Sequence, residues 1–117
     1  MKAIIEVCKR GSAVQNARMQ LAATRRGVPL DFKLSFESSR ALFAELTPAR
    51  VELLDTLRRV GPCSVYALAK AAERNYSNVH TDVGRLEELG LIERDAEGLV
   101  AVPYESVEIL VPLAHVA

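Results

Sequence analysis

The stretch NYSNVHTDVGRLEELGLIERDAEG, Asn75 to Gly98, carries one apolar stripe and one polar front. On a helical wheel turning about 100° per residue, Val79, Val83 and Leu86 cluster on one side with Leu89 at the margin. Ser77, Thr81 and Gly84 point almost opposite, flanked by His80 and Arg85. A helix so divided buries the first face against a body and leaves the second in water. Gly90 is placed to end it with a left-handed residue. LIERDAEGLVAV then reads as strand, turn, strand, with Gly98 supplying the positive φ that a bulged hairpin turn requires.

Upstream, the punctuation of two further helices is legible. Thr47 suits an N-cap and Pro48 the first helical position, where its missing N–H costs nothing. Leu46 and Val51 have the spacing of a hydrophobic staple, and Val51, Leu54 and Leu57 form the expected buried stripe up to the Gly61-Pro62 stop. Ser64 caps a shorter helix with Val65, Leu68, Ala69 and Ala72 facing inward. Only Glu73, Arg74 and Asn75 separate it from the polar-fronted helix, and Asn75 is a residue that tolerates the left-handed conformation open to such a tight turn. A helix, a short helix, a tight turn, a polar-fronted helix and a two-stranded hairpin describe a winged helix-turn-helix. The second helix of such a turn has the shape the DNA major groove admits.

The flanks add strands. MKAIIEV alternates weakly through Ala3, Ile5 and Val7, and Phe32, Leu34 and Phe36 alternate strictly in DFKLSFES. Between them, Ser12 and Gln15 fit a capping box, Val14, Ala17 and Leu21 follow at helical spacing, and Arg25, Arg26 and Gly27 suit a helix end before Pro29. Ser38 or Ser39 can cap a short helix through Leu42, Phe43 and Leu46, and Val107, Ile109 and Val111 outline a last strand. The expected class is therefore α+β, with an N-terminal β-α-β extension over 1–37 and a winged helix-turn-helix with a C-terminal strand over 38–117. Segments 1–27 and 107–113 are expected to form a homodimer interface, because an isolated winged helix leaves their apolar faces in water. Toxin binding and completion of the core are the other roles open to the first 35 residues.

At 117 residues, half of them hydrophobic, the chain has the material for one compact core. It has no apolar run near the ~18 residues of a membrane span, and MKAIIEVCKRG lacks the pattern of a secretion signal. A cytoplasmic protein without membrane partners is expected, with Cys8 and Cys63 as reduced thiols. Net charge is zero but unevenly spread. Residues 1–31 hold six Lys/Arg and two acids, residues 47–85 hold six and four, and residues 86–117 hold one and seven. Such a dipolar arrangement can offer one positive face, or can be scattered surface charge with no collective effect.

The stretch LTPARVELLDTLRRVGPCSVYALAKAAERNYSNVHTDVGRLEELGLIERDAEGLVAVPYESVEI resembles the MarR/ArsR-type winged-helix regulators of prokaryotes. It is most similar to a small prokaryotic family described as DNA-binding, some members of which lie beside toxin genes. The resemblance covers roughly two-thirds of the chain, from Phe36 to Val111. It is carried chiefly by Thr47-Pro48, by Val79 with Asp82, and by Leu86 through Leu91. It implies a transcription regulator, usually dimeric, that reads DNA with the second helix of its motif, and it opens an antitoxin or autoregulatory role. One departure is plain. Many such regulators carry more Lys/Arg along the reading helix, where this chain has Arg85 alone.

Ser77, Asn78, His80, Thr81 and Arg85 are the expected base-reading residues. Asn pairs bidentately with adenine, Thr meets the thymine methyl, and Arg pairs with guanine or clamps a phosphate. The bland alternatives are solvated polar side chains and an Arg85 ion pair with Glu87 or Glu88. Lys70, Arg74, Tyr76 and Arg94 are the expected phosphate contacts, and Asp82, near the buried edge, is expected to orient the scaffold. Gly84 in mid-helix would let the backbone approach a duplex closely. His80 and His115 lack spaced Cys or carboxylate partners, and no phosphate loop or nucleophile motif occurs, so no catalytic residue, metal or cofactor is expected. Two functions remain. One is a sequence-specific regulator, a repressor binding a pseudo-palindromic operator with half-sites ~34 Å apart. The other is a winged-helix interaction module that neutralises a partner toxin without binding DNA.

Overall fold

The computed structural model describes residues 1–8 and 30–113. The capping box at Ser12–Gln15, the helix expected behind it and His115 lie outside the described residues. Chain order is β1 (Ala3–Val7), β2 (Phe32–Phe36), α1 (Ser39–Glu45), α2 (Pro48–Val60), α3 (Val65–Ala72), α4 (Tyr76–Glu88), β3 (Glu93–Arg94), β4 (Val100–Ala101) and β5 (Val107–Leu110). The class is mixed α+β, and among the described residues no helix is long and apolar enough to cross a membrane. Two compact units result, one of Met1–Glu45 with Tyr104–Ala117 and one of Leu46–Pro103.

In the first unit β1 lies between two parallel neighbours, in the order β2-β1-β5. Ala3 pairs with Phe32 on one side and Val107 on the other, and the register continues to Val7 with Phe36 and Glu6 with Leu110. A parallel neighbour requires a crossover connection rather than a hairpin, which is why β1 and β2 lie far apart in sequence. Ala3 and Ile5 are fully buried, and Phe32 stacks on Tyr104 with ring centroids 5.4 Å apart. The Ser38 hydroxyl accepts a hydrogen bond from the Ala41 N–H and starts α1, which packs against β1 and β2 and buries Leu42. Sequence periodicity divides the chain at 37/38 and leaves the last strand with the helices. In the structure α1 and β5 go with the N-terminal strands, and the apolar side of β1 is covered within the chain. Local periodicity reveals a strand, not its partner.

In the second unit Thr47 caps α2, its Oγ1 accepting from the Arg50 N–H at 3.3 Å, and the Gly61 N–H closes the helix on the Leu57 carbonyl. Ser64 caps α3 through the Ala67 N–H. The core of this unit gathers Leu53, Leu57, Leu68, Val83, Leu86 and Leu91. The stripe of α2 differs from the one expected. Leu53 is 1% exposed and Val51 36%, so the staple partner of Leu46 faces outward and Leu53 takes the core position. With Val51, Leu53 and Leu54 so close in sequence, more than one stripe fits the wheel, and the neighbouring helices select among them. After α4, β3 and β4 form a short antiparallel hairpin. Its turn is held by the Asp95 carboxylate, which accepts from the Glu97 and Leu99 N–H groups, and by Gly98 at φ 84°. Cys63 exchanges two backbone hydrogen bonds with Val100, at 3.1 and 2.8 Å, and ties the α2–α3 connection to the hairpin. Replacing Leu53 by Ala is expected to lower the unfolding free energy by about 3 kcal/mol, and Val51 by Ala by less than about 1 kcal/mol, in urea titrations.

Candidate nucleic-acid interface

The start of α4 is fixed by Asn75. Its φ of −62° and ψ of 132° are those of an N-cap, and its Oδ1 accepts from the Ser77 and Asn78 N–H groups at 2.8 and 3.3 Å. The left-handed residue of the turn is Glu73, at φ 54° and ψ 45°, and Asn75, which would tolerate that conformation, does not adopt it. The Glu73 N–H reaches the Lys70 carbonyl and the Arg74 N–H reaches the Ala69 carbonyl, which satisfies the end of α3. The side-chain oxygen of Asn75 is worth more as a cap for the free amides of α4 than its backbone is in the left-handed region.

On α4, Val79, Val83 and Leu86 are fully buried. Ser77, Asn78, His80 and Thr81 are exposed, and Arg85 is partly so. The sequence-derived reading residues therefore do share one accessible face. The Thr81 hydroxyl donates to the Ser77 carbonyl at 3.1 Å, so what it offers outward is a methyl group and an acceptor oxygen. A Cβ added at Gly84 would meet nothing within 4 Å, so packing inside the chain does not require glycine there.

Asp82 holds this helix in place. Its Oδ1 accepts from Arg50 Nε on α2 at 3.0 Å, and its Oδ2 from Arg74 Nη2 in the turn at 2.7 Å. Arg74 Nη1 also reaches the Ala49 carbonyl at 3.4 Å. Partial burial pushes the Asp82 carboxyl upward, but the hydrogen bonds and positive charges of Arg74 and Arg50 outweigh it and hold the group below the usual carboxylate range. Arg74, expected at a phosphate, thus spends its guanidinium inside the scaffold. Arg50 is missing from the sequence reading altogether. An Asp at the margin of an apolar stripe calls for a cation, but the one that answers lies 32 residues away.

The other cations are also engaged. Arg85 Nη1 lies 2.9 Å from Glu88, and Arg94 Nε and Nη2 lie 3.3 and 3.2 Å from one Glu87 oxygen. The Lys70 ammonium sits 5.1 Å above the Tyr66 ring, Tyr66 meets Tyr76 at 6.5 Å, and Tyr76 meets His80 at 5.8 Å between ring centroids. Tyr66 is a second residue that the sequence reading omits. Its ring lies off the apolar side of α3, and only the angle between α3 and α4 brings it to Tyr76.

As for ion-binding groups, no set of three His, Cys, Asp or Glu side chains gathers among the described residues. Burial pushes the Cys63 thiol up, which keeps it protonated and a poor ligand or nucleophile near neutral pH.

Because the Asp82 pKa is depressed in the folded state, its ion pairs contribute fully above the ordinary value of 3.8 and are lost as pH falls through the lower folded value. Asp82→Asn is expected to reduce the unfolding free energy by about 2 kcal/mol at neutral pH. The difference from the wild type should shrink as chemical denaturation is repeated below pH 3.8.

Comparison with known proteins gives one result. A family profile designated HVO_A0114 matches residues 45–109, a span that takes in α2, α3, α4, the hairpin and most of β5. No curated protein and no solved structure matches the chain. The profile covers more than half of the sequence, and the chain belongs to the HVO_A0114 family.

Proposed function

We propose that residues 46–103 are a winged helix-turn-helix of the MarR/ArsR kind, and that α4 reads double-stranded DNA through Ser77, Asn78, His80, Thr81 and Arg85. The protein acts as a cytosolic, homodimeric transcriptional repressor on a pseudo-palindromic operator. The observation that carries this reading is the condition of α4. It is a 13-residue helix with a fully buried apolar face, a clamped orientation and an exposed polar face of hydrogen-bonding side chains. A groove-reading helix needs all three, since base-edge hydrogen bonds reward only side chains delivered in fixed register.

Mobility shifts against the chain's own upstream region test it, with the salt concentration varied. Binding that weakens steeply with salt is expected, and Asn78→Ala or Arg85→Ala should lose roughly ten-fold or more on the preferred sequence. Unchanged specific binding in both variants would remove the site assignment. Gly84→Ala separates a close backbone approach from chance. It should raise the unfolding free energy by up to about 1 kcal/mol, because Ala is the better helix former and has room, while weakening the complex.

A second reading has its own observation. Arg85 and Arg94 are each held by a glutamate, and residues 86–117 carry seven acids against one base, so a basic protein such as a toxin can dock there. Absence of DNA affinity at low salt, together with salt-sensitive capture of such a partner, favours that reading.

A further inference from the structure

Lys70, Tyr66, Tyr76 and His80 form a continuous line of contacts from α3 to α4. Tyr66 is 59% exposed and Tyr76 49%. Neither phenol hydroxyl has a hydrogen-bond partner among the described residues. Both hydroxyls are therefore open to solvent and free of protein acceptors, so each can donate to a phosphate oxygen without breaking a contact inside the chain. The cation beside them has the same character. Of the three cations expected at phosphates, Arg74 and Arg94 are held by carboxylates, as is Arg85 on the reading face. Among the described residues, only Lys70 of these has no carboxylate at its charge. A ring face fixes an ammonium in place without cancelling its charge, whereas a carboxylate would.

We infer that Tyr66, Lys70 and Tyr76 together form a seat for a backbone phosphate of double-stranded DNA. The two phenols donate hydrogen bonds to it and the ammonium supplies the charge. The inference rests on the DNA-binding reading and adds Tyr66 to it. Tyr76 belongs to both sites. It touches Tyr66 at the seat and His80 on the reading face, so the phosphate contact sets the register in which α4 meets the bases.

The test is fluorescence anisotropy with a labelled random-sequence duplex across a salt series, for the wild type, Lys70→Gln and Tyr66→Phe. Phe keeps the ring and its contacts and removes only the hydroxyl. Lys70→Gln is expected to flatten the slope of log affinity against log salt by ~0.9, the value for one phosphate. Tyr66→Phe should weaken binding roughly three-fold at every salt concentration and leave the slope unchanged. Thermal melts that match the wild type establish that both variants are folded. If the wild type binds and both variants reproduce its affinity and slope, the seat is wrong and the DNA-binding reading stands. If the wild type binds no duplex even at low salt, both fall.

Discussion

The carboxylate of Asp82 stands between two guanidiniums, one from α2 and one from the turn after α3, and itself belongs to α4. Three helical elements thus converge on one acid that is only 15% exposed. Removing one partner of a part-buried ion pair leaves the other charge without compensation, at a cost larger than the pair's own net worth. The arrangement specifies an angle as well as contributing stability. Apolar packing through Val79, Val83 and Leu86 holds α4 to the body but tolerates small rotations, whereas hydrogen bonds at 2.7 and 3.0 Å do not. The outward face of α4 acquires its direction from this inward contact.

Net neutrality has a local form in this protein. Cations around α4 are matched with nearby acids, as in Arg85 with Glu88 and Arg94 with Glu87. Such exposed pairs are worth little to folding, so a stronger acceptor can displace the glutamate cheaply. They nevertheless compete with any polyanion for the same guanidinium, and they leave Lys70 as the cation on this side whose charge meets a ring instead. Under the proposed function the positive charge would supply the salt-sensitive part of the affinity and the hydrogen-bonding groups of α4 the discrimination.

The unit built on β1, β2 and β5 shows how non-local the N-terminal half is. The strand that buries Ala3 and Ile5 is paired on one edge with a neighbour from 29 residues downstream and on the other with one from near the end of the described chain. Each strand is short, and its alternation is visible by itself. Parallel pairing leaves no mark in a single strand's pattern, since it depends on a crossover rather than a turn.

Periodicity and punctuation by themselves determined the class of each element among the described residues, the Thr47 and Ser64 caps, the stops at Gly61 and Gly90, the Gly98 turn, and the division of α4 into a buried and an open side. These follow from backbone chemistry within a few residues, and local rules reach that far. Tertiary structure alone decided that Leu53 and not Val51 enters the core, that Glu73 takes the left-handed position while Asn75 caps, and that Arg50 and Arg74 meet at Asp82. It also decided that Tyr66 joins Tyr76, and that β5 pairs with β1. In each of these cases more than one arrangement satisfied the local pattern. The choice fell to contacts between residues distant in sequence, which no window of the chain contains.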